Sequence, residues 1–141
     1  MKRIRVLLGD DHALILDGVR ASLQDEFDIV GEAYDGRALV AAAERLQPEV
    51  VILDISMPVL NGFESARLVK KALPAAKIIF LSQHLNPQYL KHALKAGASG
   101  YVLKSGAREE LRQAIESVLR GKTYITSSFG EEVRSIADLL A

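Results

Sequence analysis

No cysteine occurs anywhere in the 141 residues, which excludes disulfides, thiolate zinc sites and cysteine nucleophiles. An excess of charge of either sign is also missing. Lys+Arg and Asp+Glu stand at 18 each, so no bulk field draws the chain to nucleic acid or to an anionic membrane. No apolar run approaches the ~20 residues of a membrane span. The basic start Met1-Lys2-Arg3 leads into an apolar run that stops at Gly9-Asp10-Asp11, too short for a signal peptide. A cytoplasmic protein with no membrane partner is expected. Internal repeats and low-complexity segments are absent as well. What is present is an ordinary globular composition, 49% hydrophobic and 26% charged, in a length that suits one domain with one core.

The most informative stretch is Val50-Val51-Ile52-Leu53-Asp54-Ile55-Ser56-Met57-Pro58, followed by Asn61-Gly62. Four apolar residues without polar alternation suit a strand buried on both faces, as in a parallel sheet. Further strands are expected at Ile4–Gly9, Phe27–Ala33, Lys77–Ser82 and Ser99–Lys104, the second more polar and so nearer an edge. Between them run helical stripes. Ile15, Val19 and Leu23 mark a helix from His12 to Glu26; Leu39, Ala42, Ala43 and Leu46 mark one that Pro48 ends. Others are expected over Phe63–Leu73, Pro87–Gly97 and Arg108–Leu119, the last two closed by glycine. Strands alternating with helices through short loops predict an α/β, doubly wound parallel sheet covered by helices on both faces.

Each of four strands ends on a polar group: Asp10-Asp11, Asp54, Ser82 and Lys104. A lone aspartate in such a place is as readily a turn former or a cap. Four polar ends along the one edge where open α/β sheets take their ligands argue for a site. Three close carboxylates repel in a poorly solvated crevice, and a hard cation such as Mg²⁺, which takes oxygen ligands, relieves that repulsion. Asp11 and Asp54 are the expected direct ligands, with Asp10 behind a water and the Ser56 carbonyl as a further oxygen. Attack by Asp54 on phosphorus would form an acyl phosphate. Lys104 would neutralise one phosphoryl oxygen, and Ser82 could hydrogen-bond another.

The set Asp10-Asp11, VVILDISMPVLNG around Asp54, Ser82 and GYVLK ending at Lys104 resembles the CheY-like receiver domain of two-component response regulators. The resemblance implies a flavodoxin-like five-stranded sheet of order 2-1-3-4-5 and phosphoryl transfer to Asp54 from the phosphohistidine of a partner sensor histidine kinase. It implies Mg²⁺ on Asp10 and Asp11, Lys104 on the phosphoryl group, and Ser82 with Tyr101 as a switch pair. Ser56 and His84 fall at the positions that tune phosphoryl lifetime. Many receivers follow the lysine with proline; here Lys104-Ser105 stands instead, and a cis bond is not expected.

Asp11-His12-Ala13-Leu14 and the Leu-Lys-Ser ending resemble receivers that precede a LuxR-type helix-turn-helix domain. That implies a transcriptional output, with DNA reached only through a domain absent from this chain, and phosphorylation-linked homodimerisation. The expected organisation is a receiver over residues 1–121, then a linker through Phe129. A short C-terminal helix follows, whose stripe is Val133, Ile136, Ala137 and Leu140. The chain is expected to be a fragment of a longer regulator.

Three rival readings carry different signatures. A flavodoxin-like FMN carrier needs a Ser/Thr/Gly-rich phosphate turn after the first strand, where two aspartates stand here. A phosphohydrolase of the haloacid dehalogenase type needs a general acid two residues beyond its nucleophile, where Ser56 stands. A scaffold that is never phosphorylated would not need the set Asp10, Asp11, Asp54, Ser82 and Lys104.

Overall fold

The computed structural model describes residues 3–130. In chain order the elements are β1 (Arg5–Gly9), α1 (Ala13–Leu23), β2 (Asp28–Ala33), α2 (Gly36–Leu46), β3 (Val50–Leu53) and α3 (Gly62–Ala72). Then come β4 (Lys77–Ser82), α4 (Pro87–Lys95), β5 (Gly100–Leu103), α5 (Ala107–Leu119) and β6 (Tyr124–Ile125), with a 3₁₀ turn at Lys104–Gly106 between β5 and α5. All strand pairs are parallel, in the order β2-β1-β3-β4-β5-β6. This is the flavodoxin-like order expected, extended by one strand. The more polar β2 lies at the edge, as its composition suggests.

The alternation of side chains along each strand divides the interior into two layers. Leu7, Val51, Leu53, Ile78, Phe80 and Tyr101 face α2, α3 and α4. Val6, Leu8, Val50, Ile52, Ile79, Leu81 and Val102 face α1 and α5. The unbroken apolar run of β3 follows directly: every one of its residues is buried, because each face of the sheet carries helices.

Helix ends follow local chemistry. Asp35 caps α2 by accepting from the Ala38 N–H at 2.8 Å, and Asn61 caps α3 by accepting from Glu64 at 3.0 Å. Pro87 opens α4 at its first turn, where a missing N–H costs nothing. Gly97 (φ 101°) turns the chain out of that helix in a conformation that side chains avoid. In α1 the inward residues are Leu16, Val19 and Leu23. Ile15, expected on the stripe, is half-buried against the same core, one step round the helix.

The segment expected to be a linker, residues 122–129, differs. Tyr124 and Thr126 donate backbone hydrogen bonds to Ser99 and Tyr101 carbonyls, each at 2.8 Å, and build β6 on the open side of β5. An unpaired strand edge is a row of unsatisfied backbone groups, and this segment satisfies part of it. Glu110 of α5 fastens the addition from the helix side, accepting from the Tyr124 hydroxyl at 2.7 Å and the Thr126 hydroxyl at 2.9 Å. Phe129 is buried and meets the Tyr101 ring edge-on at 5.6 Å. Residues 131–141, including the expected C-terminal helix, lie outside the described residues.

Phe129→Ala removes a buried aromatic packed on the Tyr101 ring. It should lower stability by about 3 kcal/mol, the range of buried Phe truncations. Urea unfolding measures this, and a loss below about 1 kcal/mol would mean that the segment does not stay docked.

Candidate functional site

The sheet carries its functional groups just beyond the carboxyl ends of its strands, and backbone hydrogen bonds pin them there. Asp10 N–H donates to the Ala33 carbonyl at 3.1 Å and Asp54 N–H to the Gly9 carbonyl at 2.9 Å, so each aspartate is the last residue held by the ladder. Lys104 follows β5 directly at the start of the 3₁₀ turn. Asp10 and Asp54 are buried, 2% and 5% exposed, although both carry ionisable groups. Such groups stay inside only when paired.

The pairing is shared. Lys104 Nζ lies 2.9 Å from Asp10 Oδ2 and 3.1 Å from Asp54 Oδ2. Asp54 Oδ1 also accepts the Ser56 N–H at 3.3 Å. Asp10 Oδ1 accepts the His12 N–H at 2.9 Å, and the His12 ring nitrogen Nδ1 lies 3.2 Å from the same oxygen and 3.0 Å from Asp11 Oδ1. Asp11 stands at the mouth of the crevice, partly in water. Ligand atoms of Asp10, Asp11, His12 and Asp54 all lie within 4.8 Å of one another.

This donor set fits a hard divalent cation. Asp10 Oδ2 is buried and receives no well-aligned hydrogen bond among the described residues; Lys104 is near enough to attract it but not in line. A buried carboxylate oxygen held only by an ion pair, beside two further carboxylates, is what an oxygen-seeking ion such as Mg²⁺ binds.

The loop beyond β3 is shaped around Asp54. Gly62 N–H donates to the Ile55 carbonyl at 2.7 Å. A Cβ at Gly62 would collide with the Asp54 carbonyl oxygen and come 2.7 Å from Ile55 Cα. The Asn-Gly pair noticed in the sequence therefore has two separate duties: a helix cap and a close backbone approach. Val59 in the same loop holds φ at 70°, a strained conformation for a β-branched residue, costing about 1–3 kcal/mol.

Ser82 and Tyr101 lie on adjacent strands and are completely buried. They do not join the carboxylate cluster directly. Ser82 Oγ accepts the His84 N–H at 3.0 Å, and the Tyr101 hydroxyl donates to the His84 carbonyl at 2.6 Å, so the His84 backbone bridges the two. The phenol is thus already turned inward. Burial pushes its pKa up, the Ser82 hydroxyl draws it part-way back, and Tyr89 and Asp54 add to the rise. The His84 ring itself packs edge-on against Tyr89 at 4.8 Å. The Ser56 side chain is exposed. No cis peptide occurs among the described residues, Lys104-Ser105 included.

Residues 6–116 match the response regulator receiver domain. The chain belongs to that family. It is 37% identical to the transcriptional regulatory protein MctR of Rhizobium johnstonii, an alignment covering 98% of this chain and 68% of that protein. With DegU of Brevibacillus brevis it shares 37% identity over 87% of this chain and 53% of the relative. The chain thus spans about half to two thirds of these curated relatives. A solved LuxR-family two-component response regulator from Aurantimonas superposes with a TM-score of 0.88 at 30% identity, covering 95% of this chain and 97% of that one. The receiver is accordingly one of the type found in LuxR-class transcriptional regulators of two-component systems. No helix among the described residues is long and apolar enough to cross a membrane.

Sequence reasoning missed one member of the receiver's acidic cluster, His12. Its signal was adjacency to Asp10-Asp11, but a helix-opening histidine is ordinarily a surface residue, and only the fold shows its ring turned back onto both carboxylates.

Lys104 sits under opposing pressures. Burial works to lower its pKa, yet the contacts and charges of Asp10 and Asp54 outweigh burial and hold it above the ordinary lysine value of 10.5. A cation with a raised folded pKa stabilises the native state fully below its unfolded pKa and loses that contribution as pH rises through the folded value. Lys104→Met should therefore be less stable than the native receiver across neutral pH. The gap should narrow only above about pH 10.5. Urea unfolding across the alkaline range checks this; a gap that closes near neutrality contradicts the pairing.

Gly62→Ala should cost about 2–3 kcal/mol by steric collision with the Asp54–Ile55 backbone. Gly18→Ala, in open space on the exposed face of α1, should instead stabilise by about 0.5–1 kcal/mol through helix propensity. Thermal unfolding of both variants separates packing from propensity.

Proposed function

We propose that this receiver is a phosphorylation-activated switch whose acceptor is Asp54. The single observation that carries the reading is the buried convergence of Asp54 and Asp10 on one ammonium, with Lys104 Nζ 3.1 Å and 2.9 Å away. A lysine so held is a charged, prepositioned partner for a phosphoryl oxygen, and Asp54 is the carboxylate beside it.

The donor is the phosphohistidine of a sensor histidine kinase. An Asp54 carboxylate oxygen forms the new bond to phosphorus as the nitrogen–phosphorus bond breaks. The departing imidazole keeps the electron pair and takes up a proton. Lys104 neutralises one phosphoryl oxygen, and its attraction to Asp54 is exchanged for attraction to the transferred group. Asp10, Asp11 and Asp54, with the Ser56 carbonyl, would hold Mg²⁺. That ion supplies neutralisation of the phosphoryl charge when bound. Water later hydrolyses the acyl phosphate, and Ser56 and His84, flanking the acceptor and Ser82, tune how long it lasts. The chain turns over no external substrate.

The new group carries roughly −1.5 to −2 charge. Ser82 answers it by donating its hydroxyl. That motion pulls on the His84 backbone, whose carbonyl holds Tyr101, and so alters the surface formed by α4, β5 and α5. The output is control of transcription through a DNA-binding domain outside this chain, with pairing of two receivers as the intermediate step.

Intact mass after incubation with a small phosphoryl donor tests the acceptor. The native chain should gain one phosphoryl group in the presence of Mg²⁺, and Asp54→Ala should gain none. A folded, metal-binding chain that gains nothing returns the protein to a scaffold role, and steady turnover of a phosphomonoester would make it a phosphohydrolase.

A further inference from the structure

We propose that His12 is an additional ligand of the acidic cluster, through Nδ1, and that it shifts the cluster's preference from Mg²⁺ toward divalent first-row transition ions. This inference rests on the reading of Asp10, Asp11 and Asp54 as a metal site and concerns which ion the site takes.

His12 occupies the N-cap position of α1, where a side chain usually accepts a hydrogen bond from the helix's free N–H groups. It makes no such bond. The ring turns the other way, placing Nδ1 3.0 Å from Asp11 Oδ1 and 3.2 Å from Asp10 Oδ1. Adjacent corners of an octahedron with metal–ligand bonds of about 2.1 Å lie about 3.0 Å apart. The imidazole nitrogen and the two carboxylate oxygens therefore already stand at the separations of neighbouring ligands around one ion. Asp54 offers its oxygen within the same 4.8 Å cluster. Independently of these contacts, the buried Asp10 Oδ2 has no aligned hydrogen bond and faces only the Lys104 ammonium 2.9 Å away, so a carboxylate lone pair remains for a cation.

Ligand chemistry sets the selectivity. Mg²⁺ takes oxygen and keeps its waters, so three carboxylates satisfy it and imidazole adds little. Imidazole nitrogen suits cobalt, nickel and zinc, whose affinity for nitrogen donors rises along the first row. A site with both donor types binds Mg²⁺ through its oxygens and holds a transition ion through all of them. Binding at Nδ1 uses the neutral ring with its one hydrogen on the other nitrogen, the tautomer in which Nδ1 has a lone pair to give. His12 is two-thirds exposed, so the ring can adjust to an ion without disturbing the core, and its removal should not unfold the chain.

The test measures Co²⁺ and Mg²⁺ affinities by calorimetry on the native chain, His12→Ala and Asp11→Asn. It is joined by NMR of the histidine ring signals, of which the sequence provides three. Co²⁺ should broaden His12 before His84 and His92. His12→Ala should weaken Co²⁺ binding by about tenfold or more, a scale reached even by residues one layer removed from a metal. The same change should leave Mg²⁺ binding within roughly twofold, since its oxygen ligands are retained. Asp11→Asn should weaken both ions. If His12→Ala leaves the ratio of the two affinities unchanged, or Co²⁺ broadens all three rings alike, His12 is not a ligand and the carboxylate site still stands. If the native chain binds neither ion, the metal site and the role of His12 fall together.

Discussion

Two buried carboxylates sharing one ammonium is the arrangement on which the rest of this receiver depends. Asp10 and Asp54 repel each other at close quarters in a crevice almost closed to water, and the cost of that repulsion grows as the surroundings become less polar. Lys104 offsets it, reaching both from the far side of the crevice. It does so only because β1, β3 and β5 run parallel and bring their carboxyl ends to one edge. The core layers on the two faces hold those strands in register, so the chemistry at the edge is stabilised by apolar packing beneath it. Removing an ion from such a triad leaves the others more exposed to one another, which makes the group responsive to any incoming anion or cation.

A second chain of contacts leads away from the sheet edge. It runs from Ser82 through the backbone of His84 to the Tyr101 hydroxyl, and from the Tyr101 ring to Phe129. The outer members Ser82, Tyr101 and Phe129 are buried and the bridging His84 is half-buried, so the chain of contacts is largely shielded from water. Phe129 lies beyond β6, near the end of the described chain, and Glu110 ties that segment to α5 through two hydroxyls. The inward face of Tyr101 and the segment leaving the domain are thus packed as one body. Ser82, Tyr101 and the residues of β6 are therefore in continuous contact.

Much of this was legible beforehand. The order of helices and strands followed from apolar periodicity and from proline and glycine placement. The strand β3 was recognisable because a strand covered on both faces has no polar alternation to hide. Asp10, Asp54 and Lys104 could be grouped because parallel topology alone puts strand ends together. The reading faltered where a role depended on a side chain's direction. His12 was legible only as the start of a helix, and residues 122–129 looked like a linker. A two-residue strand has too little pattern to stand out, and its existence depends on the open edge of β5.

The linear chain by itself determined the alternating architecture, the two-faced burial of β3 and the identity of the charged groups at the sheet edge. These rest on local periodicity and on turn and cap chemistry, which neighbouring residues decide among themselves. Only the tertiary structure decided that Lys104 divides its charge between two aspartates, that Tyr101 points inward onto the His84 carbonyl, and that His12 turns back onto the carboxylates. Those arrangements are choices of rotamer and distance among residues remote in sequence. Their energies come from burial, and burial exists only once both layers of helices have closed on the sheet.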